Sequence, residues 1–99
     1  MYDYISGKLV EQSPTQVVID NHGIGYVVNI SLNTFTQIKD KEAVKLFVHF
    51  VVREDARIFF GFADDNERKL FRALITVSGV GANTARLVLS SLSTEEAYS

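Results

Sequence analysis

The fold is decided by residues 44–62, which read VKLFVHFVVREDARIFFGF. Apolar side chains recur at every second position along residues 44–52, and a period of two is typical of a β-strand with one buried face. Residues 57–62 repeat the alternation, with one face formed by Ile58, Phe60 and Phe62. Only residues 53–56 separate the two patterns, and three of these four residues are charged, so the patterns predict a β-hairpin with a charged tip.

Three further β-prone segments precede this hairpin, at residues 2–10, 16–20 and 25–30. Short polar turns containing Pro14 and Gly23 connect them. Five short strands without a helix long enough for a parallel crossover predict a small antiparallel barrel, most simply an OB-fold. A small SH3-like barrel is the alternative.

Two details of the barrel can also be predicted. Gly7 lies inside the first β-prone segment and indicates a bulge or a sharp coil in that strand. Residues 31–37 predict a loop with a short helical turn, whose Phe35 plugs one end of the barrel.

The segment after the barrel predicts short helices. A helix over residues 65–75 follows Asp64, and Glu67 has the spacing of a capping box with it. Ser93 and Glu96 repeat that spacing and predict a further helix, which the end of the chain interrupts. We therefore expect a fragment of a longer protein, with a barrel over residues 1–63 and the start of a helical region over residues 64–99.

Residues 77–85 read VSGVGANTA, and a helix is predicted to begin at Ala82. Gly79 and Gly81 indicate a tight turn with outward-pointing N–H groups. The first N–H groups of a helix lack intrahelical partners and carry the positive end of its dipole, so a phosphate can bind there without Lys or Arg. The glycines alone indicate an ordinary helix connection, but apolar residues on both sides favour a helix-hairpin-helix motif, which binds DNA backbone without reading bases.

Composition limits the possible functions. The chain has 99 residues, 46% of them hydrophobic, and no Cys, which excludes disulfides, thiolate metal sites and cysteine nucleophiles. Ten basic residues against twelve acidic ones give a net charge of −2, so a DNA contact must be local rather than an extended basic surface. The absence of a long apolar run and of a signal-peptide pattern predicts a cytoplasmic protein without a membrane partner.

No catalytic, metal or cofactor site is predicted. The sequence contains no P-loop, nucleophile elbow or Rossmann fingerprint. His22 and His49 lack the spacing of a metal pair, and the adjacent Glu54 and Asp55 have no further acid or His close by in sequence.

The whole chain resembles the N-terminal part of the RuvA family, which binds Holliday junctions in the bacterial branch-migration machinery. The resemblance is carried by GIGYVV at 23–28, HFVVREDA at 49–56, FGF at 60–62, ERKLF at 67–71 and SGVG at 78–81. A helix-hairpin-helix motif alone is shared by many DNA repair proteins. HFVVREDA together with the barrel and the hairpin motif is far more specific.

This resemblance implies an OB-fold, a helical domain with two helix-hairpin-helix motifs and a mobile C-terminal domain that contacts the RuvB motor. It also implies a homotetramer that holds a four-way junction open, and the RuvC resolvase as a further partner. The ATPase activity belongs to RuvB, so the resemblance implies a non-catalytic DNA-binding subunit. The second hairpin motif and the motor-binding domain would lie beyond Ser99, so we expect weak junction binding and no engagement of the motor.

The resemblance also assigns the site residues. The DNA-backbone site corresponds to Ser78, Gly79, Val80, Gly81, Ala82, Asn83 and Thr84. Many members have Pro-Lys where this chain has Ala82-Asn83, so one basic phosphate contact is missing and the amides, with the Thr84 hydroxyl, must compensate. Arg86 lies one turn further on and either compensates as well or is an ordinary solvated helix residue.

Glu54 and Asp55 correspond to the acidic pin of the family, which projects at the centre of the tetramer. Two adjacent carboxylates repel phosphates at close range, so four copies near a crossover would keep the duplex arms apart. Without the resemblance, a solvated charged turn is the simpler interpretation.

Two other function classes remain open from the sequence. One is a protein-interaction barrel whose glycine hairpin only packs helices, for which Gly81→Asp would lower stability. The other is an OB-fold that stacks single-stranded bases on exposed aromatic residues. The aromatic candidates are Tyr2, Tyr4, Tyr26, Phe47 and Phe59.

Overall fold

A computed structural model describes residues 2–91 of the chain. The described elements are β1 (Tyr4–Gln12), β2 (Gln16–Asn21), β3 (Ile24–Ile30), α1 (Leu32–Ile38), β4 (Ala43–Val52), β5 (Arg57–Phe62), α2 (Asp65–Ile75) and α3 (Ala82–Ser90). The further helix predicted from Ser93 and Glu96 lies outside the described residues.

The strands close into a barrel in the order β1-β2-β3-β5-β4, which confirms the predicted five-stranded OB-type barrel. Four of the neighbouring pairs are antiparallel. The closing pair, β3 with β5, is parallel, with Val28 opposite Phe59 and Ile30 opposite Gly61. A closed ring of five strands cannot alternate direction all the way round, because five is odd. The prediction of a wholly antiparallel barrel is therefore wrong at this one pair.

The irregularity in β1 is not at Gly7. The register of β1 on β2 shifts between Leu9 and Glu11, which places the bulge there. Gly7 serves a different purpose, since a Cβ at this position would collide with the carbonyl oxygen of Asp20 on β2. The missing side chain therefore permits a close approach of the two strands.

Aliphatic side chains fill the barrel, namely Ile5, Val17, Ile19, Val28, Ile30, Ile38, Val44, Leu46 and Val48. Phe35 packs against this cluster from α1, as predicted. The segment before β4 is a complete seven-residue helix rather than a loop with a helical turn. Its N-cap is Ser31, whose Oγ accepts from the Thr34 N–H at 3.1 Å, so a local cap stabilises the short helix.

A second apolar cluster lies between the barrel and the helices. It consists of Phe60, Phe62, Phe71, Ala82, Ala85 and Leu89. Because successive strand residues point to opposite faces, β5 contributes to both clusters: Phe59 packs against the barrel core, while Phe60 and Phe62 pack against α2 and α3. Strand β5 thus lies between the two apolar clusters and contributes side chains to both. This packing places the glycine segment directly beside the barrel.

Candidate nucleic-acid interface

The glycine segment between α2 and α3 forms a tight turn at the surface. The Val80 N–H donates to the Val77 carbonyl at 3.1 Å, and Gly79 has a φ of 83°. A positive φ at the third residue of a turn is typical of type II and favours glycine. Val80 packs against the helical cluster, whereas Ser78 and Gly79 are exposed. The turn is therefore anchored at one residue and open at the other two.

Gly81 is the N-cap of α3 and has an extended backbone with a φ of −85°. Its carbonyl accepts the first intrahelical bond, from the Ala85 N–H at 2.9 Å. Within residues 2–91, the N–H groups of Ala82, Asn83 and Thr84 have no acceptor, and no side chain caps the helix. The end of α3 therefore carries free donors and the positive end of the helix dipole.

A cavity of about 310 Å³ borders this helix end. Its lining includes residues 81–84, Asn29 of β3 and Arg53 of the β4–β5 hairpin. Sequence reasoning missed both Asn29 and Arg53 as parts of the site. Arg53 stands directly before the predicted acidic tip, but only the fold brings it to the same cavity as the first turn of α3.

Glu54 and Asp55 are exposed at the tip of the β4–β5 hairpin, as predicted for a charged turn. Two backbone hydrogen bonds close the turn, from Arg53 N–H to Ala56 O at 2.7 Å and from Ala56 N–H to Arg53 O at 3.4 Å. Arg53 lines both a concave surface at this tip and the cavity at α3. The acidic tip therefore adjoins the cavity at the first turn of α3, and Arg53 is common to both.

Arg86 is held against the barrel rather than standing free in solvent. Its Nη1 donates to the Ile30 carbonyl at 3.2 Å, while Nη2 and Nε donate to Asn83 Oδ1 at 3.2 and 3.4 Å. The side chain of Asn83 is thus engaged in tying α3 to the end of β3. Thr84 is exposed and lines the cavity.

The first turn of α2 carries a buried acid. The predicted cap at Asp64 is confirmed, since its Oδ1 accepts from the Glu67 N–H at 2.8 Å. The carboxyl group of Glu67 reaches α1, where Oε1 accepts from Thr34 Oγ1 at 2.6 Å and Oε2 accepts from Ser31 Oγ at 3.0 Å. Burial raises the pKa of Glu67 above its ordinary value of 4.5, although both hydroxyl hydrogen bonds act in the opposite direction.

The next residue, Arg68, is also buried and reaches the barrel on the other side. Its Nη1 donates to the carbonyls of Asp3 at 2.7 Å and Val48 at 3.2 Å. The guanidinium forms ion pairs with the carboxylates of Asp3 at 2.9 Å and Asp65 at 2.7 Å. It also lies 5.3 Å from the ring centre of Phe47. Two adjacent charged residues of α2 therefore hold two different parts of the barrel.

His49 is a packing residue. Its ring lies 5.4 Å from that of Phe71, and its Nδ1 accepts from Arg72 Nε at 3.2 Å. Partial burial, followed by the positive charges of Arg72 and Arg68, lowers the pKa of His49.

In the described part of the chain, no group of three His, Cys, Asp or Glu residues could hold a metal ion. No helix of residues 2–91 is long and apolar enough to cross a membrane.

The aromatic candidates for base stacking are largely engaged within the protein. The ring of Phe59 stacks on Phe50 at 4.5 Å and packs against the barrel core. Tyr26 and Phe47 are half-buried. Only Tyr2 and Tyr4 of this set are exposed, and Lys45 Nζ lies 4.2 Å from the ring centre of Tyr4.

Comparison with known proteins agrees with the fold and the motifs. Residues 1–61 match the family described as the RuvA N terminal domain. The chain belongs to the RuvA family. Similar curated members are all named Holliday junction branch migration complex subunit RuvA. They include the proteins of Bacteroides fragilis, 53% identical over 96 residues, Christiangramia forsetii, 52% over 96, and Neisseria meningitidis, 47% over 97.

These alignments cover 97% of this chain but only 48% of the B. fragilis RuvA and 50% of the other two. The chain thus spans about half the length of the curated relatives it matches.

Proposed function

We propose that this chain is the junction-binding part of a RuvA subunit, a non-catalytic module that binds four-way DNA junctions. The observation that carries the proposal is the cavity shared by the free amides of α3 and Arg53, which lies next to the acidic tip. One side of the molecule thereby combines donors that attract a phosphate with carboxylates that repel one. Where several DNA backbones converge, the donors can bind a phosphate and the carboxylates can keep neighbouring backbones apart.

The phosphate site comprises the glycine turn and the first turn of α3. Its residues are Ser78, Gly79, Val80, Gly81, Ala82, Asn83 and Thr84. The free N–H groups at Ala82, Asn83 and Thr84 bind the anion with the help of the helix dipole. Arg53, which lines the same cavity, supplies a cation in place of the basic residue that is absent at position 83. Because such contacts address the backbone, the site reads no base.

Glu54 and Asp55 act as an acidic pin at the crossover. We propose a homotetramer assembled through the barrel, residues 1–63, with the four tips near its centre and the helical region from residue 64 on the DNA. Branch migration would then be driven by the RuvB motor, with RuvC as the resolving partner, in the cytoplasm. We place the contacts with the motor in the half of the relatives' length that this chain does not match.

The decisive variant is Gly81→Asp. Asp is a favoured N-cap residue, the backbone of Gly81 is already extended, and no atom lies within 4 Å of its Cβ position, so the variant should fold and gain about 0.5–1 kcal/mol of stability. Its carboxylate would occupy the phosphate position. We expect the wild-type chain to prefer a four-way junction over linear duplex and single strand at low salt, and Gly81→Asp to lose this binding.

His22→Asp is a matched control. It adds the same negative charge at the β2–β3 turn, at the far end of β3 from Asn29, and His22 already has a φ of 51° that Asp tolerates. Binding should be weakened far less than by Gly81→Asp. Equal losses from both variants would show that net charge, and not the α3 site, governs binding. Unchanged binding by Gly81→Asp would contradict the proposal and favour stacking on Tyr2 and Tyr4.

The structure also changes how Gly81→Asp can distinguish a DNA-binding function from a protein-interaction function. From the sequence alone, the protein-interaction alternative predicts a loss of stability in Gly81→Asp. Because Gly81 is an unstrained N-cap in open space, a structural role predicts no such loss. Only the DNA-binding measurement separates the two functions.

A further inference from the structure

We propose that Glu67 and Arg68 are positioning residues that fix the angle between the glycine turn and the acidic tip, so that both can contact one junction. The purpose of this angle rests on the proposed function. The fixed angle itself is a property of the chain and can be tested without DNA.

The first attachment runs from Glu67 to α1. Each hydroxyl that donates to the Glu67 carboxyl group also accepts a backbone N–H: Ser31 from Thr34 at 3.1 Å, and Thr34 from Ala63 at 3.1 Å. The proton of each hydroxyl is thereby directed at Glu67. The three side chains form a closed, directional network in which every buried side-chain oxygen has a partner.

The second attachment runs from Arg68 to Asp3, which directly precedes β1, and to β4. The side chain of Arg68 is 8% exposed, and its donors reach the carbonyls of Asp3 and Val48 in addition to two carboxylates. Consecutive residues on a helix point about 100° apart, so Glu67 and Arg68 hold the barrel along two different directions. Two such attachments at one helix turn prevent α2 both from tilting relative to the barrel and from rotating about its own axis.

The end of the hairpin motif is attached to the same part of the barrel. At the start of α1, the Leu32 N–H donates to Ser90 Oγ at 2.9 Å, and Asn33 Nδ2 donates to the Leu89 carbonyl at 2.7 Å. Residues 30–34 therefore bind α3 through Arg86, Leu89 and Ser90, and α2 through Glu67. The helices on both sides of the glycine turn, α2 and α3, are therefore both hydrogen-bonded to residues 30–34.

Polar attachments suit this task better than apolar contacts alone. The cluster around Phe71 buries surface but is non-directional, and it could be satisfied by slightly different helix angles. A buried hydrogen-bond network is satisfied only by one arrangement, because an unpaired buried group is costly. Two contacts on one ligand gain avidity only when their geometry permits simultaneous engagement. The orientation set by α2 would thus determine junction selectivity rather than affinity for DNA in general.

Distance measurements test the fixed angle directly. The chain has no Cys, so spin labels can be attached at Val10→Cys on β1 and Leu87→Cys on α3, both of which replace exposed residues. By double electron–electron resonance, we expect one narrow distance distribution. Thr34→Val, which removes the donor to Glu67, should broaden or shift it, as should Arg68→Met. Thr34→Ser keeps the hydroxyl and should restore the narrow distribution.

DNA binding tests the purpose of the angle. In Thr34→Val we expect the preference for a four-way junction over linear duplex to fall by about tenfold, because simultaneous engagement is lost, with duplex affinity nearly unchanged. Thr34→Ser should retain the preference. A merely structural role would lower stability without altering this ratio, so circular dichroism melting is recorded for each variant. If Arg68→Met does not fold, Arg68→Lys takes its place.

The outcomes separate the two proposals. Narrow distributions in both Thr34→Val and Arg68→Met would overturn the fixed angle. A broadened distribution with unchanged junction preference would overturn the positioning role. If the wild-type chain shows no preference for junctions, the proposed function fails, whereas the distance distributions still decide whether these residues fix the angle.

Discussion

The barrel and the glycine turn both contain glycines, but for different physical reasons. In the barrel, Gly61 is buried, and a Cβ there would collide with Val28 and lie 3.2 Å from Leu46 Cδ1. At the turn, no atom lies within 4 Å of the Cβ positions of Gly79 and Gly81. The barrel thus uses the missing side chain for its own packing. At the turn the described residues leave the space empty, and under the proposed function a DNA backbone occupies it.

Among Gly61→Ala, Gly25→Ala and Gly79→Ala, the substitution at Gly61 should lower the stability most. The added methyl group has to displace core side chains, and overpacking of this kind costs about 2 kcal/mol. Urea unfolding followed by circular dichroism measures the loss. Gly25→Ala is the matched control on β3, since its Cβ would make only an ordinary 3.4 Å contact with Val18, and its effect should stay within about 0.5 kcal/mol. Equal stability of the two variants would refute the distinction between packed and open glycines.

Gly79→Ala should have a smaller effect with a different cause. There is room for the methyl group, but a φ of 83° is unfavourable for an L-residue, so we expect a loss of about 1 kcal/mol. Asn tolerates this conformation better, and Gly79→Asn should therefore lose less than Gly79→Ala in the same urea titration. If Ala were tolerated as well as Asn, backbone strain would not explain the glycine.

Much of the barrel was predictable because its signals are local. The alternation along β4 and the turn residues between β2 and β3 each depend on a few neighbouring positions. The sequence could not show which core each face of β5 meets, since both of its faces are apolar. The parallel β3–β5 pair follows from closing five strands, which is a property of the whole ring rather than of any segment.

The site was predictable only where its residues are contiguous. The glycine turn and the acidic tip each occupy one stretch of chain, and the family resemblance drew attention to both. That Arg53 lines the same cavity as Asn83 depends on contacts between segments thirty residues apart. The sequence predicts Glu67 only as a helix-cap residue, because its spacing from Asp64 is local information, whereas its hydroxyl partners Ser31 and Thr34 lie more than thirty residues away.

His49 and Glu67 lie where α2 packs against the barrel, and their pKa values are shifted in opposite directions. Protonation of the two side chains should therefore have opposite effects on the stability of the chain. The folded-state pKa of His49 is lowered below 6.5, so the unfolded chain binds more protons on acidification, and stability is lost as pH falls from about 6.5 towards the folded value. The folded-state pKa of Glu67 is raised above 4.5, so the folded chain binds more protons, and stability is gained as pH falls through the folded value.

The pH effects of His49 and Glu67 are the smallest effects that we expect. They are measured as changes in the slope of the unfolding free energy against pH, not as changes in stability at one pH. Between about pH 7 and pH 4.5, the ordinary pKa of Glu67, the unfolding free energy of His49→Gln should fall less than that of the wild type, because the variant lacks the destabilising protonation. That of Glu67→Gln should fall more, because the compensating protonation is removed. Slopes that moved in the same direction in both variants would mean that burial does not dominate at one of the two sites. For Glu67, the hydroxyl bonds from α1 would then outweigh desolvation, and the carboxyl group would hold α2 as an anion throughout this range.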